Sequence, residues 1–416
     1  MWTRETLKKP RYDGGLYMKI LIQKFGGTSV STSDRRQLVI DKIQKAIEEG
    51  FSPVVVVSAM GRKGDPYATD SLLELITEEY RAANLLSADL LMSCGEIIST
   101  VVMSCALYHS GISAQPLTGF QAGIITDNSY SKADVQEIKT EYLLKLLKRG
   151  IVPVVAGFQG VTEECIVTTL GRGGSDVTAA LLGVALKAQS VEIYTDVDGI
   201  MTADPRIVSE AALIQEMNYN EVYQFADQGA KVIHPRAIEI AMQQMVPLII
   251  KNTLSDSIGT IIDGRLHEEG KLITGITHMS NRVQIIVSWK DNMNNDNYHY
   301  LLDELGKNQI SIDLINIFPK EQIFTIDEED LIKFTVLAKG KNIKYTAIEN
   351  CSKIAVIGSR IRGIPGVMAR IIKALTSVDI EVLQTADSHT TIWCLVESKY
   401  TGKAINALHE EFKLGQ

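Results

Sequence analysis

Cysteine is scarce in this chain. Five residues out of 416 stand at positions 94, 105, 165, 351 and 394, and none forms a C-x-x-C pair. That spacing excludes a disulfide framework, suggests no thiolate zinc site, and fits a reduced, cytoplasmic setting. We expect no uninterrupted apolar stretch long enough to span a bilayer. The first residues include Arg and Lys without an apolar core after them, so no secretory signal is expected either. Positive charge is not in excess: 42 basic against 50 acidic residues give a net charge of -8, which argues against nucleic acid or an anionic membrane as partner. No G-x-x-x-x-G-K-[ST] loop occurs. What remains is an ordinary globular composition, 45% hydrophobic and 22% charged, in a chain long enough for two or three domains.

The most informative stretch is TTLGRGGSDVTAA at 168–180. A strand-like segment, 166–169, runs into a glycine-rich turn. Behind the turn, 177–186 is apolar nearly all round and is predicted as a buried helix. The first amides of a helix lack partners, and its dipole favours negative charge there, so such a turn suits an anion. Ser175 or Asp176 could serve as N-cap. Arg172, between glycines, has the fork geometry for a carboxylate.

A second turn of this kind opens the chain proper. After a polar extension, 1–17, a strand at 19–23 leads into Lys24-Phe25-Gly26-Gly27-Thr28-Ser29, where Lys24 would meet a transferring phosphoryl group as a point charge. A helix is predicted over 34–49. The β-branched run 53–57 reads as a strand buried on both faces and ends at Ser58. The loop 62–70 (RKGDPYATD) lies on the surface, where it could close over a ligand, and Thr69 and Ser58 are candidate substrate contacts. Segment 85–108 reads as one long helix. Glu96 lies inside it among apolar neighbours, so its carboxylate must find a partner or shift its pKa. Further strands are predicted at 113–117, 151–157 and 190–195, and helices at 135–148 and 177–186. This alternation implies an α/β fold with a mainly parallel sheet, whose ligands lie beyond the carboxyl ends of strands. Downstream, Thr195-Asp196, Asp204-Pro205-Arg206 and Lys231-Val232 add charged turns.

Taken in order, KFGGTSV, SAMG, SCGE, GFQG, TTLGRGGSD, YTDVDGIMTADPR and QGAKVIHPRA resemble the aspartokinases, a branch of the amino acid kinase family. The resemblance implies a three-layer αβα sandwich and transfer of the γ-phosphoryl of ATP to the β-carboxylate of L-aspartate, with Mg2+. It implies a place at the first step of lysine, diaminopimelate, threonine and methionine biosynthesis. Carried over position by position, Lys24, Phe25, Gly26 and Gly27 match the ATP-phosphate turn. Thr195, Asp196, Asp204, Arg206, Lys231 and Val232 match the nucleotide side, and Ser58, Thr69, Glu96, Arg172, Ser175 and Asp176 the aspartate side. Lys24, Arg172, Asp176 and Lys231 are the expected catalytic set. Asp176 would read the substrate ammonium or help hold Mg2+; both roles stay open.

The kinase-like part is expected to span 18–264, followed by two smaller modules at 265–345 and 346–416. In the second, 354–358 is strand-like, a helix runs from Gly363 to about 378, strands follow at 380–384 and 391–397, and a helix at 401–412. An earlier copy reads as strand 283–288, helix 298–306 and strands 311–318 and 321–326. This order resembles tandem ACT modules, ferredoxin-like α+β units that bind small ligands. ISIDLINIFPKEQIFTI and LQTADSHTTIWCLV resemble most the diaminopimelate-responsive aspartokinases of spore-forming bacteria. An amino acid effector (diaminopimelate, lysine or threonine) is implied, with Asp313 and Asn316 as candidate contacts, in a homodimer or higher homo-oligomer. The competing readings are another kinase of the same fold, acting on acetylglutamate, glutamate, carbamate or UMP, and a non-catalytic amino acid sensor.

Overall fold

The structure, a computed structural model, describes residues 18–230, 232–265, 272–289, 300–358, 361 and 364–415. The extension 1–17, Lys231, most of the charged linker, the loop 291–299 and Gly363 lie outside these residues. The chain forms two compact units, 1–192 and 193–416.

The first unit is built on parallel strands in the order β1-β2-β6-β3: β1 (Lys19–Phe25), β2 (Phe51–Val57), β3 (Ala114–Leu117) and, after β4 (Ile124–Thr126) and β5 (Val135–Ile138), β6 (Val152–Ala156). β1 runs beside β2 in register Lys19↔Phe51 through Phe25↔Val57, so the ends carrying Lys24 and Ser58 lie side by side. Val54 to Val57 are fully buried, as a strand covered on both faces requires. β7 (Gln159–Val161) and β8 (Val167–Thr169) join β4 and β5 in a second sheet, β5-β4-β7-β8. The helices Ser33–Glu48, Leu85–His109, Glu141–Lys148 and Gly174–Ala185 complete the unit.

Three sequence expectations change here. The segment 135–140 is not helical: Val135–Ile138 pairs antiparallel with Ile124–Thr126, and the helix begins only at Glu141. β-branched Val135 and Ile138 gain more from the cross-strand partner than from a helical turn. Neither Ser175 nor Asp176 caps the helix behind the glycines. The N-cap is Gly173, in the left-handed region at φ 70°, and no side chain caps it. Finally, Leu85–His109 is, by length and composition, long and apolar enough to cross a bilayer. Its two carboxylates, Asp89 and Glu96, are both buried and hydrogen-bonded within the first unit, while Leu86, Leu90, Val101 and Tyr108 are exposed.

Asp89 ties that helix to the glycine-rich turn. Its carboxylate accepts four hydrogen bonds: from the Ser131 amide (2.9 Å) and hydroxyl (3.1 Å), and from the Thr169 amide (2.8 Å) and hydroxyl (2.9 Å). Thr169 is the last residue before the turn, so the start of the turn is fixed from below.

In the second unit the chain passes from β9 (Ser190–Thr195), the strand at which the units divide, to β10 (Glu216–Asn218), β11 (Leu248–Asn252) and β12 (Thr260–Asp263). Then comes a six-stranded antiparallel sheet in the order β14-β15-β13-β16-β18-β17: β13 (Gly275–Ser288), β14 (Asp313–Phe318), β15 (Glu321–Asp327), β16 (Thr346–Ile357), β17 (Gln384–Asp387) and β18 (Thr391–Glu397). Both long strands run through both halves of this sheet. Residues 282–288 of β13 pair with β15, while 275–279 pair with 353–357 of β16, which in turn pair with β18. One core gathers Val283, Leu301, Phe324 and Phe334, and the other Ile276, Val356, Ile371 and Leu408. The expected strand at 380–384 starts only at Gln384. Ile380 and Val382 join the second core from irregular backbone, because Asp379 takes φ 55° and the Ile380 amide closes the preceding helix on Leu375.

Replacing Asp89 by Ala leaves four donors without their acceptor. We expect a loss of about 3 kcal/mol of stability in chemical denaturation; a loss below about 1 kcal/mol contradicts the anchoring role.

Candidate active site

Lys24 is the second-last residue of β1, and Phe25 after it is fully buried, so Phe25 can offer a ligand only its backbone. Gly26 caps the single turn Gly27–Val30. At Gly27 the chain passes so close to its neighbour that a Cβ would sit 2.3 Å from the Ala59 carbonyl oxygen, so no other residue fits here without displacing backbone.

The second turn approaches from β8. With Gly173 left-handed, the chain doubles into tight turns: the amides of Gly174, Asp176 and Val177 donate to the carbonyls of Gly171 (3.0 Å), Gly173 (3.0 Å) and Gly173 (3.2 Å). The amides of Gly174 and Asp176 are thus engaged within the turn, the Val177 bond is the first ordinary helical one, and the Ser175 amide has no backbone partner among the described residues. Attraction for an anion rests on that amide, the helix dipole and the neighbouring cations.

Both turns face one cavity of about 310 Å³. Lys24, Gly27, Ser58, Thr69, Glu96, Arg172, Ser175 and Asp176 all line it. The Lys24 ammonium lies 2.7 Å from the Asp176 carboxylate, with both side chains largely enclosed. Arg172 is exposed at the mouth and makes no ion pair among the described residues. Glu96 is 3% exposed; its Oε1 accepts from the Ala59 amide at 3.1 Å, and its Oε2 has no partner. Burial pushes its pKa up from 4.5 to about 8, with the Ala59 hydrogen bond pulling weakly the other way. Sequence reasoning passed over Arg62, Lys63 and Phe158, which also line the cavity. The two cations sit in the polar loop already read as a cover, and their adjacency beside a glycine was the available signal. Phe158 carried a weaker one, because its φ of 70° cannot be read from the GFQG run.

The remaining site residues belong to the second unit. The Thr195 hydroxyl donates to Asp196 at 3.3 Å. Arg206, largely exposed, grips Asp204 with its Nη2 at 2.7 Å and Nε at 3.0 Å, and these hydrogen bonds hold the Asp204 carboxyl below its usual range. Val232 donates its amide to Ala230, and Lys231 lies outside the described residues. Asp313 and Asn316 meet groups from the other half of the six-stranded sheet: Asp313 pairs with buried Lys353, and Asn316 Oδ1 accepts from Gln384 at 2.7 Å.

A family model described as "Amino acid kinase family" matches residues 19–252, and one described as "ACT domain" matches 346–410. The chain is 44% identical over 409 residues to Aspartokinase 1 of Bacillus subtilis, covering 96% of this chain and all of the relative. It is 35% identical to the aspartokinase of Geobacillus stearothermophilus, covering 96% and 98%. Among solved structures, E. coli aspartokinase III in complex with aspartate and ADP superposes with a TM-score of 0.76 at 25% identity, covering 94% of this chain and 99% of that one. The same enzyme in complex with lysine and aspartate gives the same figures. On this match in sequence, length and fold, the chain belongs to the aspartokinases of the amino acid kinase family.

Proposed function

We propose that the chain transfers the γ-phosphoryl of ATP to the β-carboxylate of L-aspartate, giving 4-phospho-L-aspartate, under feedback from an amino acid effector. The observation that carries this reading is the 2.7 Å approach of Lys24 to Asp176 in a cavity that also holds Glu96 and Arg172. A phosphate-type turn and a carboxylate-type turn thus share one space. The acceptor carboxylate is already ionised at neutral pH, so no strong base is needed. The task is to bring two anions into line and neutralise them. Lys24 would take the phosphoryl charge, with Gly26, Gly27 and the Phe25 backbone around it. Arg172 would grip a carboxylate of aspartate, with Ser58, Thr69 and Ser175 beside it. Glu96, enclosed and with one oxygen unpartnered, suits the ammonium.

The pairing with Lys24 favours the phosphoryl side for Asp176. Among the described residues no three metal-ligating side chains cluster. Mg2+ bound with a nucleotide usually takes one or two carboxylates and phosphate oxygens, so Asp176 alone fits it. Bound there, Mg2+ would neutralise phosphate charge. Thr195, Asp196, Asp204, Arg206, Lys231 and Val232 are assigned to the nucleotide. We further assign 18–264 to the kinase half and 265–345 and 346–416 to the regulatory modules, with strand 275–279 lent to the second. Asp313 and Asn316 are assigned to the effector, whose binding must favour one conformational state over another.

A hydroxamate assay with aspartate or glutamate and ATP-Mg tests the reaction: product with aspartate alone is expected, and none with either sinks the reading. Lysine, threonine and diaminopimelate added singly identify the effector. Lys24→Ala should lower kcat/KM by roughly 10²–10³-fold. Arg172→Ala should chiefly raise the KM for aspartate, by roughly 10–100-fold. Near-normal kinetics in both defeat the assignment. Glu96 supplies a pH test. If the empty site holds Glu96 protonated up to about pH 8 and the ammonium requires it ionised, KM for aspartate falls as pH rises from 6 to 8, and Glu96→Gln abolishes the trend. The stability sign is the reverse of the usual carboxylate case. The unfolded chain ionises Glu96 from about 4.5 upward while the folded one keeps the proton, so this group's contribution declines between 4.5 and 8 and is constant above. Melting curves of the two proteins across that range check it.

A further inference from the structure

Two segments of the second unit, 202–206 and 228–230, at the nucleotide-side positions assigned above, are both fastened to the regulatory sheet. Consecutive residues of β13 hold one each. The Ile276 amide donates to the Thr202 carbonyl at 2.8 Å, and the Thr277 hydroxyl donates to the Gln228 carbonyl at 3.0 Å. Side chains repeat the arrangement. The Thr202 hydroxyl lies 2.9 Å from His409 Nε2 on the last helix, Thr401–Glu411. The Trp393 indole N–H, on β18, donates to Gln228 Oε1 at 2.9 Å, and the Thr391 hydroxyl donates to Gln224 Oε1 at 3.2 Å. Thr202, Gln228 and His409 are all buried. Gly229 closes the contact: at φ 109° it lies so near β13 that a Cβ would stand 2.3 Å from the His278 carbonyl oxygen.

Polar groups from two strands, β13 and β18, and from the last helix meet these two segments, alongside the apolar packing of Ala203 with Ile276 in the second core. We propose that Gln228 and Trp393 are positioning residues for the nucleotide: through their hydrogen bond, the regulatory sheet holds residues 228–230, where the nucleotide-side segment begins, in their working place. The inference rests on the assignment of these segments to ATP, and it adds a route by which the regulatory half acts on that substrate and not on aspartate.

Trp393→Phe tests it, because the ring stays and only the donor is lost. Gln228 Oε1, buried, then lacks its partner, and an orphaned buried acceptor is worth roughly five- to fiftyfold in an equilibrium. The expected result is a rise of roughly five- to tenfold in KM for ATP and in the Kd for ADP measured by calorimetry, with kcat and the KM for aspartate within about twofold. Unchanged ATP and ADP parameters in a folded variant overturn the proposal, as does a KM for aspartate that rises in step. Should Trp393→Phe not fold, Thr391→Val, which deletes the neighbouring bond to Gln224, is read by the same two criteria. If the unsubstituted chain binds no ADP, the nucleotide assignment itself fails along with this proposal; normal ADP binding with an unresponsive variant overturns this proposal alone.

Discussion

The ion pair between Lys24 and Asp176 is the contact on which the geometry of the cavity turns. It joins the end of the first strand to the first turn of a helix some 150 residues later, measured at 2.7 Å. Each partner is largely enclosed, and an enclosed charge without a counter-charge is costly. The two glycine turns are therefore held facing each other before any ligand arrives. The close pass of Gly27 under Ala59 and the left-handed Gly173 shape the backbone so that this can happen. Asp89 fixes the approach of the second turn from the helix beneath.

Electrostatic division of labour follows from how enclosed each group is. Lys24 and Asp176 neutralise each other, Arg172 stands exposed at the mouth, and Glu96 lies deepest with one oxygen unpartnered. One cavity thus offers a cation already engaged, a cation available to an arriving carboxylate, and an acid whose charge depends on what enters. A substrate with both a carboxylate and an ammonium meets a matching pair of groups, which a single-charged ligand does not.

Much of this was legible in the residue order. The 53–57 run declared a doubly covered strand, the glycines declared close turns, and Glu96 in an apolar helix declared a perturbed carboxylate. The KFGGTS and GRGGSD turns lie far apart in sequence, yet parallel strand chemistry brought both to strand ends. Failures arose where a pairing partner or the exact turn geometry decides. Nothing in 135–140 reveals that 124–126 waits to pair with it. Nothing near Gly173 says that the turn tightens enough to engage the amides of Gly174 and Asp176. Helix Leu331–Gly340 and residues 275–282 of β13 went unread, because the earlier copy ends at 326 and begins at 283 in the sequence pattern. Asp313 and Asn316 are candidate effector contacts by sequence, while Lys353 and Gln384, which meet them, come from the other half of the sheet.

That sheet carries one more implication. Gly275–Ser288 enters one half and leaves through the other, and Thr346–Ile357 returns the same way. A break near 280 or 350 would leave each half a strand short, with a row of backbone groups unpaired. Exchanging one half alone for a homologue's would therefore cut both long strands, which favours exchange of the two as a single cassette.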